Sequence, residues 1–163
     1  MIVHALLLTL LSTAPPSTEC SPTPKHKKEV VARLEKCNHT PRPFNNCDDI
    51  AGEVLTWYEC GDSSLIDPLL AASAHSDGSM SDLLGVFLGD LAVAKPELLL
   101  RHVSRRSVAE QQAIADLTLD GGEIADDQLP KFQAALKRLA SSRDARIAKT
   151  SRMWLKVLED VHK

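Results

Sequence analysis

Residues 81–94 of the chain have the sequence SDLLGVFLGDLAVA. When this segment is wound into a helix, apolar side chains point in almost every direction, which is typical of a helix that is buried on most of its surface. The segment is too short for a membrane-spanning helix, and the charged residue Asp90 stands within it. It therefore predicts a central helix over about residues 82–94, capped by Ser81, in a helical protein.

The flanking segments show the same helical spacing of apolar residues. Further helices are expected over about 24–37, 47–60 and 143–161 and, as shorter helices, from Asp67, Pro96, Ser107 and Asp126 or Asp127. Val and Ile are sparse and no alternating run has hairpin turn chemistry, so no strand is predicted. The expected fold is all-α with about seven helices: a disulfide-stapled N-terminal hairpin at 20–61, then HEAT-like stacked helix pairs or an irregular bundle at 62–163.

The four cysteines, Cys20, Cys37, Cys47 and Cys60, lie in the first part of the chain. They contain no CxxC spacing of a zinc site, and an even number of cysteines in an exported protein indicates two disulfides. The first two predicted helices should pack as an antiparallel hairpin. Cys37 and Cys47 then meet at its loop and Cys20 and Cys60 at its open end, which selects Cys20–Cys60 and Cys37–Cys47.

The N-terminal segment resembles a secretory signal peptide that runs into a proline-rich linker. The apolar run Ala5–Leu11 is followed by the small residues Ser12–Ala14, which is the order of a signal peptide's apolar region and cleavage site. The segment before the run has no Lys or Arg and a proline follows Ala14, so the cleavage site is left open, and an uncleaved apolar helix or anchor is the alternative. We therefore expect a signal peptide and linker start at 1–19. A single all-α domain at 20–163 is then secreted or periplasmic, without stable membrane insertion after cleavage.

Charge is unevenly distributed along the chain, although the formal net charge is only −3. Residues 43–94 contain nine acidic residues and no Lys or Arg, whereas residues 129–163 contain nine Lys or Arg and three acidic residues. Two interpretations are open: the acidic and basic helices face each other and their fields cancel, or they form a dipolar surface that orients a partner. Nucleic acid is not an expected partner, because the chain is acidic overall, has few aromatic residues and carries no known binding motif.

Two polar clusters supply the candidate binding residues. His75 and Asp77 lie in a predicted loop and could bind a ligand or share a proton, although Asp77 is equally a common residue of a helix–helix turn. Arg101, Arg105 and Arg106 could hold an anion or an acidic partner face, although cations are also favoured at the C-terminus of a helix.

The sequence carries no motif of an enzyme, a metal site or a cofactor site. It lacks GxSxG, SxxK, HExxH and a phosphate-binding glycine loop, and the calcium-loop pattern fails at 120–127 because Gly122 and Ile124 occupy positions that require oxygen ligands. We therefore predict no catalytic activity, no metal and no cofactor. Trp57 and Tyr58 point in different directions from one helix, so one is expected in the core and the other could contribute to recognition.

The predicted function is protein–protein binding by a small exported helical protein whose partner the sequence does not identify. An inhibitor or immunity-type protein would fit this size and export, as an analogy of class. One alternative is a small-ligand-binding protein or enzyme with a site near His75 and Asp77, which requires a pocket where both converge with an arginine. The other alternative is a structural envelope protein that is held by an uncleaved N-terminal segment.

Overall fold

A computed structural model of the chain describes residues 20–39, 45–119 and 124–161. The signal peptide predicted at 1–19 lies outside these ranges, as do residues 120–122, where the glycines of the sequence predict the end of the helix that starts at Ser107. Within them the chain forms helices and no strand, so the predicted all-α fold is confirmed. The described ranges contain eight α-helices, where the sequence predicted about seven: α1 (Pro24–Cys37), α2 (Cys47–Glu59), α3 (Ile66–Ser73), α4 (Gly78–Ala94), α5 (Pro96–Val103), α6 (Val108–Leu119), α7 (Leu129–Leu139) and α8 (Ala145–Val161).

The first two helices form the disulfide-linked hairpin. α1 begins after Thr23, whose hydroxyl accepts a hydrogen bond from a backbone N–H of the first turn, as expected of an N-cap. One disulfide joins Cys37 to Cys47 across the loop, and the other joins Cys20 to Cys60 at the open end. These are the pairs that the hairpin geometry predicts.

The start of α4 differs from the sequence prediction. The helix begins at Gly78, four residues before the predicted start, and Ser81 is not its N-cap. The reason is Met80, whose side chain is only 1% exposed. With Leu84 and Leu88 it forms a buried row at intervals of four residues, so the buried face of α4 extends one turn further towards the N-terminus.

The start of α7 was also predicted wrongly. The helix begins at Leu129 and not at Asp126 or Asp127, because the chain first makes a turn that is closed by the Gln128 N–H. Pro130 then occupies the first turn of the helix. Proline fits there because the N–H that it lacks would have no partner within the helix.

α4 lies at the centre of the packing, as predicted. It contacts α2, α3, α5, α6 and α7, and every helix from α1 to α6 packs on the helix two places further along the chain. Leu84 and Leu88 of α4 are completely buried. One side of α4 is different, because Val86 is 53% exposed. Val86 stands three residues after Leu83 and four before Asp90, which both line the candidate site described below, so it lies on the same side of the helix.

The N-terminus of α6 carries the capping box predicted from Ser107 and Glu110. The Ser107 hydroxyl accepts from the Glu110 backbone N–H at 3.3 Å, and the Glu110 carboxylate accepts from the Ser107 backbone N–H at 3.0 Å. We expect Ser107→Ala to lower the free energy of unfolding by about 1 kcal/mol, because the substitution removes the hydrogen bond that the Ser107 hydroxyl accepts from the Glu110 N–H and the one, of 2.7 Å, that it donates to the Glu110 carboxylate. Urea unfolding followed by circular dichroism measures the change, and an unaltered free energy would contradict it.

The same contact makes the cap sensitive to pH. The hydrogen bond from the Ser107 hydroxyl is the largest cause that lowers the pKa of Glu110 below its ordinary value of 4.5, and burial acts in the opposite direction. The stabilisation by ionised Glu110 is therefore fully present above pH 4.5 and is lost as the pH falls through the lower pKa of the folded state. We expect the difference in unfolding free energy between the wild type and Glu110→Gln to shrink as the pH falls below 4.5.

Candidate functional site

The five residues singled out from the sequence do not all meet at one site, although His75 and Arg106 both act on the carboxylate of Glu110. His75 and Asp77 are exposed in the loop between α3 and α4, where Asp77 occupies the N-cap position of α4. Arg101 pairs with Glu97 of its own helix at 2.9 Å. Arg105 is exposed in the loop after α5. The groove and the cavity described below have linings that include none of these five residues.

Arg106 is used inside the fold, at the junction of α3, α5 and α6. Its side chain is only 13% exposed, donates a hydrogen bond to the backbone carbonyl of Asp67 at 2.5 Å, and lies 3.6 Å from a carboxylate oxygen of Asp67 and of Glu110. The His102 ring nitrogen Nδ1 bonds to the same Asp67 carboxylate at 2.9 Å. His75 and Arg106 both help to lower the pKa of Glu110. These contacts bind three helices together, so the guanidinium already has its anionic partners.

A groove between α2 and α4 is the stronger candidate site. The Ser79 hydroxyl donates to an Asp48 carboxylate oxygen at 3.1 Å near the N-termini of both helices. The Tyr58 and Phe87 rings pack edge to face, 5.3 Å apart, near the C-terminal end of α2 and in the second half of α4. The two helices therefore lie side by side and run in the same direction. From Asp48 to Glu59 the groove is about 16 Å long, at 1.5 Å of rise per residue.

The groove has two adjoining halves of about 610 and 180 Å³, and Glu59 lines both. We call it the acidic groove: Leu55, Tyr58, Leu83 and Phe87 form its apolar floor, Asp48, Asp49, Glu59 and Asp90 form its rim, and Lys95 stands at one end. Trp57 is buried in the core while Tyr58 lines the groove, as expected for neighbours on one helix. Burial raises the pKa of Tyr58, so its phenol is neutral and can donate a hydrogen bond.

Three of the four carboxylates of the rim differ from several other acids of 43–94, because they form no ion pair with a described residue. Several acids outside the rim pair with α1 or with the α5–α6 region: Glu53 with His26, Asp62 with Lys27, and Asp67 with Arg106. Within the ranges that the structure describes, Asp49, Glu59 and Asp90 form no ion pair, and none joins 43–94 to 129–163. Direct contacts in these ranges therefore leave the charge of the rim unneutralised.

Two further properties concern only the described part of the chain. No group of three or more His, Cys, Asp or Glu side chains is placed there to hold a metal ion. No helix there has both the length and the apolar character that crossing a membrane requires.

The sequence could have indicated the sign of this site but not its place. The absence of Lys and Arg from 43–94 is visible in the sequence, and Tyr58 was among its candidate recognition residues.

Comparisons with models of protein families, with curated proteins and with solved structures find no match to the chain.

Proposed function

We propose that the protein is an exported protein-binding module and that the acidic groove receives a basic segment of its partner. The observation that supports this most is the apolar floor bordered by Asp49, Glu59 and Asp90, which form no ion pair with described residues. Covering the floor gains free energy from apolar burial, and the carboxylates select and orient a cationic partner.

The dimensions of the groove favour an amphipathic helix as the bound segment. Helices of this kind bind grooves through apolar residues at i, i+3 or i+4, and i+7. The rim carboxylates stand near both ends of a floor about 16 Å long, which corresponds to about three helical turns. Lys or Arg near both ends of the partner's apolar face would meet Asp49 at one end and Glu59 and Asp90 at the other. The exposed Val86 extends the apolar surface beside the floor.

The scaffold is consistent with this role. The two disulfides are consistent with an oxidising compartment, which together with the apolar N-terminal run supports export to the periplasm or outside the cell. We interpret the packing of each helix on the one two places along as a HEAT-like stack, since solenoids of this kind present extended binding surfaces. An inhibitor or immunity-type protein remains the closest class by analogy. The structural envelope alternative requires an uncleaved N-terminus, which N-terminal sequencing of the exported protein would detect.

Neutralising two carboxylates of the rim should weaken binding of a basic partner. The probe is a helical peptide with leucines on one face and lysines at both ends of that face. We expect Glu59→Gln with Asp90→Asn to raise its Kd about tenfold, because two ion pairs of up to about 1 kcal/mol each are lost. Isothermal titration calorimetry measures the Kd at low and high salt. The matched control, Asp126→Asn with Asp127→Asn, removes the same charge at exposed positions outside the groove and should leave the Kd unchanged.

A variant that fills the groove tests the site independently of charge. A Cβ at Gly52 would lie 3.8 Å from Leu83 Cδ2, so Gly52→Ala fits by ordinary contact, while the longer side chain of Gly52→Met must enter the groove. We expect Gly52→Met to reduce peptide binding and Gly52→Ala to preserve it. The acidic groove would be excluded as the binding surface by either of two results. One is that Asp126→Asn with Asp127→Asn weakens peptide binding as much as Glu59→Gln with Asp90→Asn, and the other is that Gly52→Met binds the peptide as tightly as the wild type.

A further inference from the structure

A second cavity, opposite in charge to the acidic groove, lies where the end of α4 and the start of α5 meet α7. Its volume is about 430 Å³, within the range of small-molecule sites. Seven of its nine lining residues are apolar, among them Val93, Pro96, Phe132 and Ala135. The other two are Lys131 and Arg138, and no acidic residue lines the cavity.

The two cations are placed to act on the same ligand. Lys131 and Arg138 are seven residues apart on α7, which puts them on one face of the helix about 10 Å apart. Neither forms an ion pair with a residue in the described ranges. The nearby acid of α5, Glu97, is engaged by Arg101. The mouth of the cavity is therefore electropositive, with no carboxylate from its own lining to neutralise it.

We propose that this cavity binds an amphipathic anion, a carboxylate on an unbranched alkyl chain. The chain would lie along the small apolar residues of the lining, and the carboxylate would be held by Lys131 and Arg138. A small inorganic anion would leave the apolar lining uncovered, and a cationic amphiphile would be repelled by both bases. The site is separate from the acidic groove and does not depend on the function proposed for it.

The test is an NMR titration of the whole folded protein with decanoate at neutral pH, below the concentration at which decanoate forms micelles. Acetate and decyltrimethylammonium are the comparison probes, since the first lacks the chain and the second reverses the charge. We expect saturable shifts of the amides of Val93, Ala134 and Ala135 with decanoate alone. Equal binding of decyltrimethylammonium, or shifts that lie elsewhere in the chain, would overturn the proposal.

Variants of exposed cations separate specific binding from general attraction of anions. We expect Lys131→Gln with Arg138→Gln to raise the Kd for decanoate about tenfold or more. Lys137→Gln is the control for the loss of an exposed cation, because Lys137 is exposed on the same helix and does not line the cavity. The Kd of this variant for decanoate should equal that of the wild type. All of these side chains are exposed, so folding is expected to be preserved. A Kd that does not change in the double variant, or that rises equally in Lys137→Gln, would refute the site.

Discussion

Cys20→Ala with Cys60→Ala is expected to lower the free energy of unfolding by about 4 kcal/mol. The two cysteines are 40 residues apart, and closing a loop of this length removes much conformational entropy from the unfolded chain. Cys60 is exposed and Cys20 is only half-buried, so the substitution costs little packing in the folded state. Because folded proteins of this size are stable by about 5 to 15 kcal/mol, a large part of the stability depends on this bridge.

Urea unfolding followed by circular dichroism measures this loss, with the wild type in reducing agent as the control. In reducing agent, the wild type and the double variant should unfold with the same free energy, because neither protein then contains a disulfide. Under oxidising conditions, a difference below about 1 kcal/mol would show that the bridge does not restrict the unfolded chain as the loop-closure argument requires.

The features that the sequence predicted well are those that depend on local signals. α1 is an example: Thr23 caps it, and its buried residues Val30 and Leu34 repeat at helical spacing. The disulfide pairs followed because the hairpin leaves little choice of partner. α4 began earlier than predicted because Met80 stands among polar residues, so its burial depends on contacts with other helices, which sequence spacing does not reveal.

The candidate sites depended on contacts between distant parts of the chain. The acidic groove joins α2 to α4, and its floor contact between Tyr58 and Phe87 spans almost thirty positions in the sequence. Arg106 was a candidate for binding an anion, but the fold supplies that anion from Asp67, 39 residues earlier, whose carboxylate lies 3.6 Å from the guanidinium. Composition therefore indicated where negative charge is concentrated, while only the packing shows which acids are paired internally and which remain available to a partner.

Trp154→Ala is expected to destabilise the fold by about 3–5 kcal/mol, because it leaves a large cavity in the core. The Trp154 side chain is completely buried and packs edge to face on Phe132, with ring centres 6.1 Å apart. Its indole N–H is buried without a hydrogen-bond acceptor among the described residues, and such a group is costly in a folded state.

Trp154→Phe removes this N–H and keeps an aromatic ring against Phe132, so we expect it to cost less than about 1.5 kcal/mol. Circular dichroism in urea measures both variants without relying on tryptophan fluorescence. Equal losses for the two would mean that the indole N–H is satisfied in solution and that the whole indole, and not only its apolar part, stabilises the core.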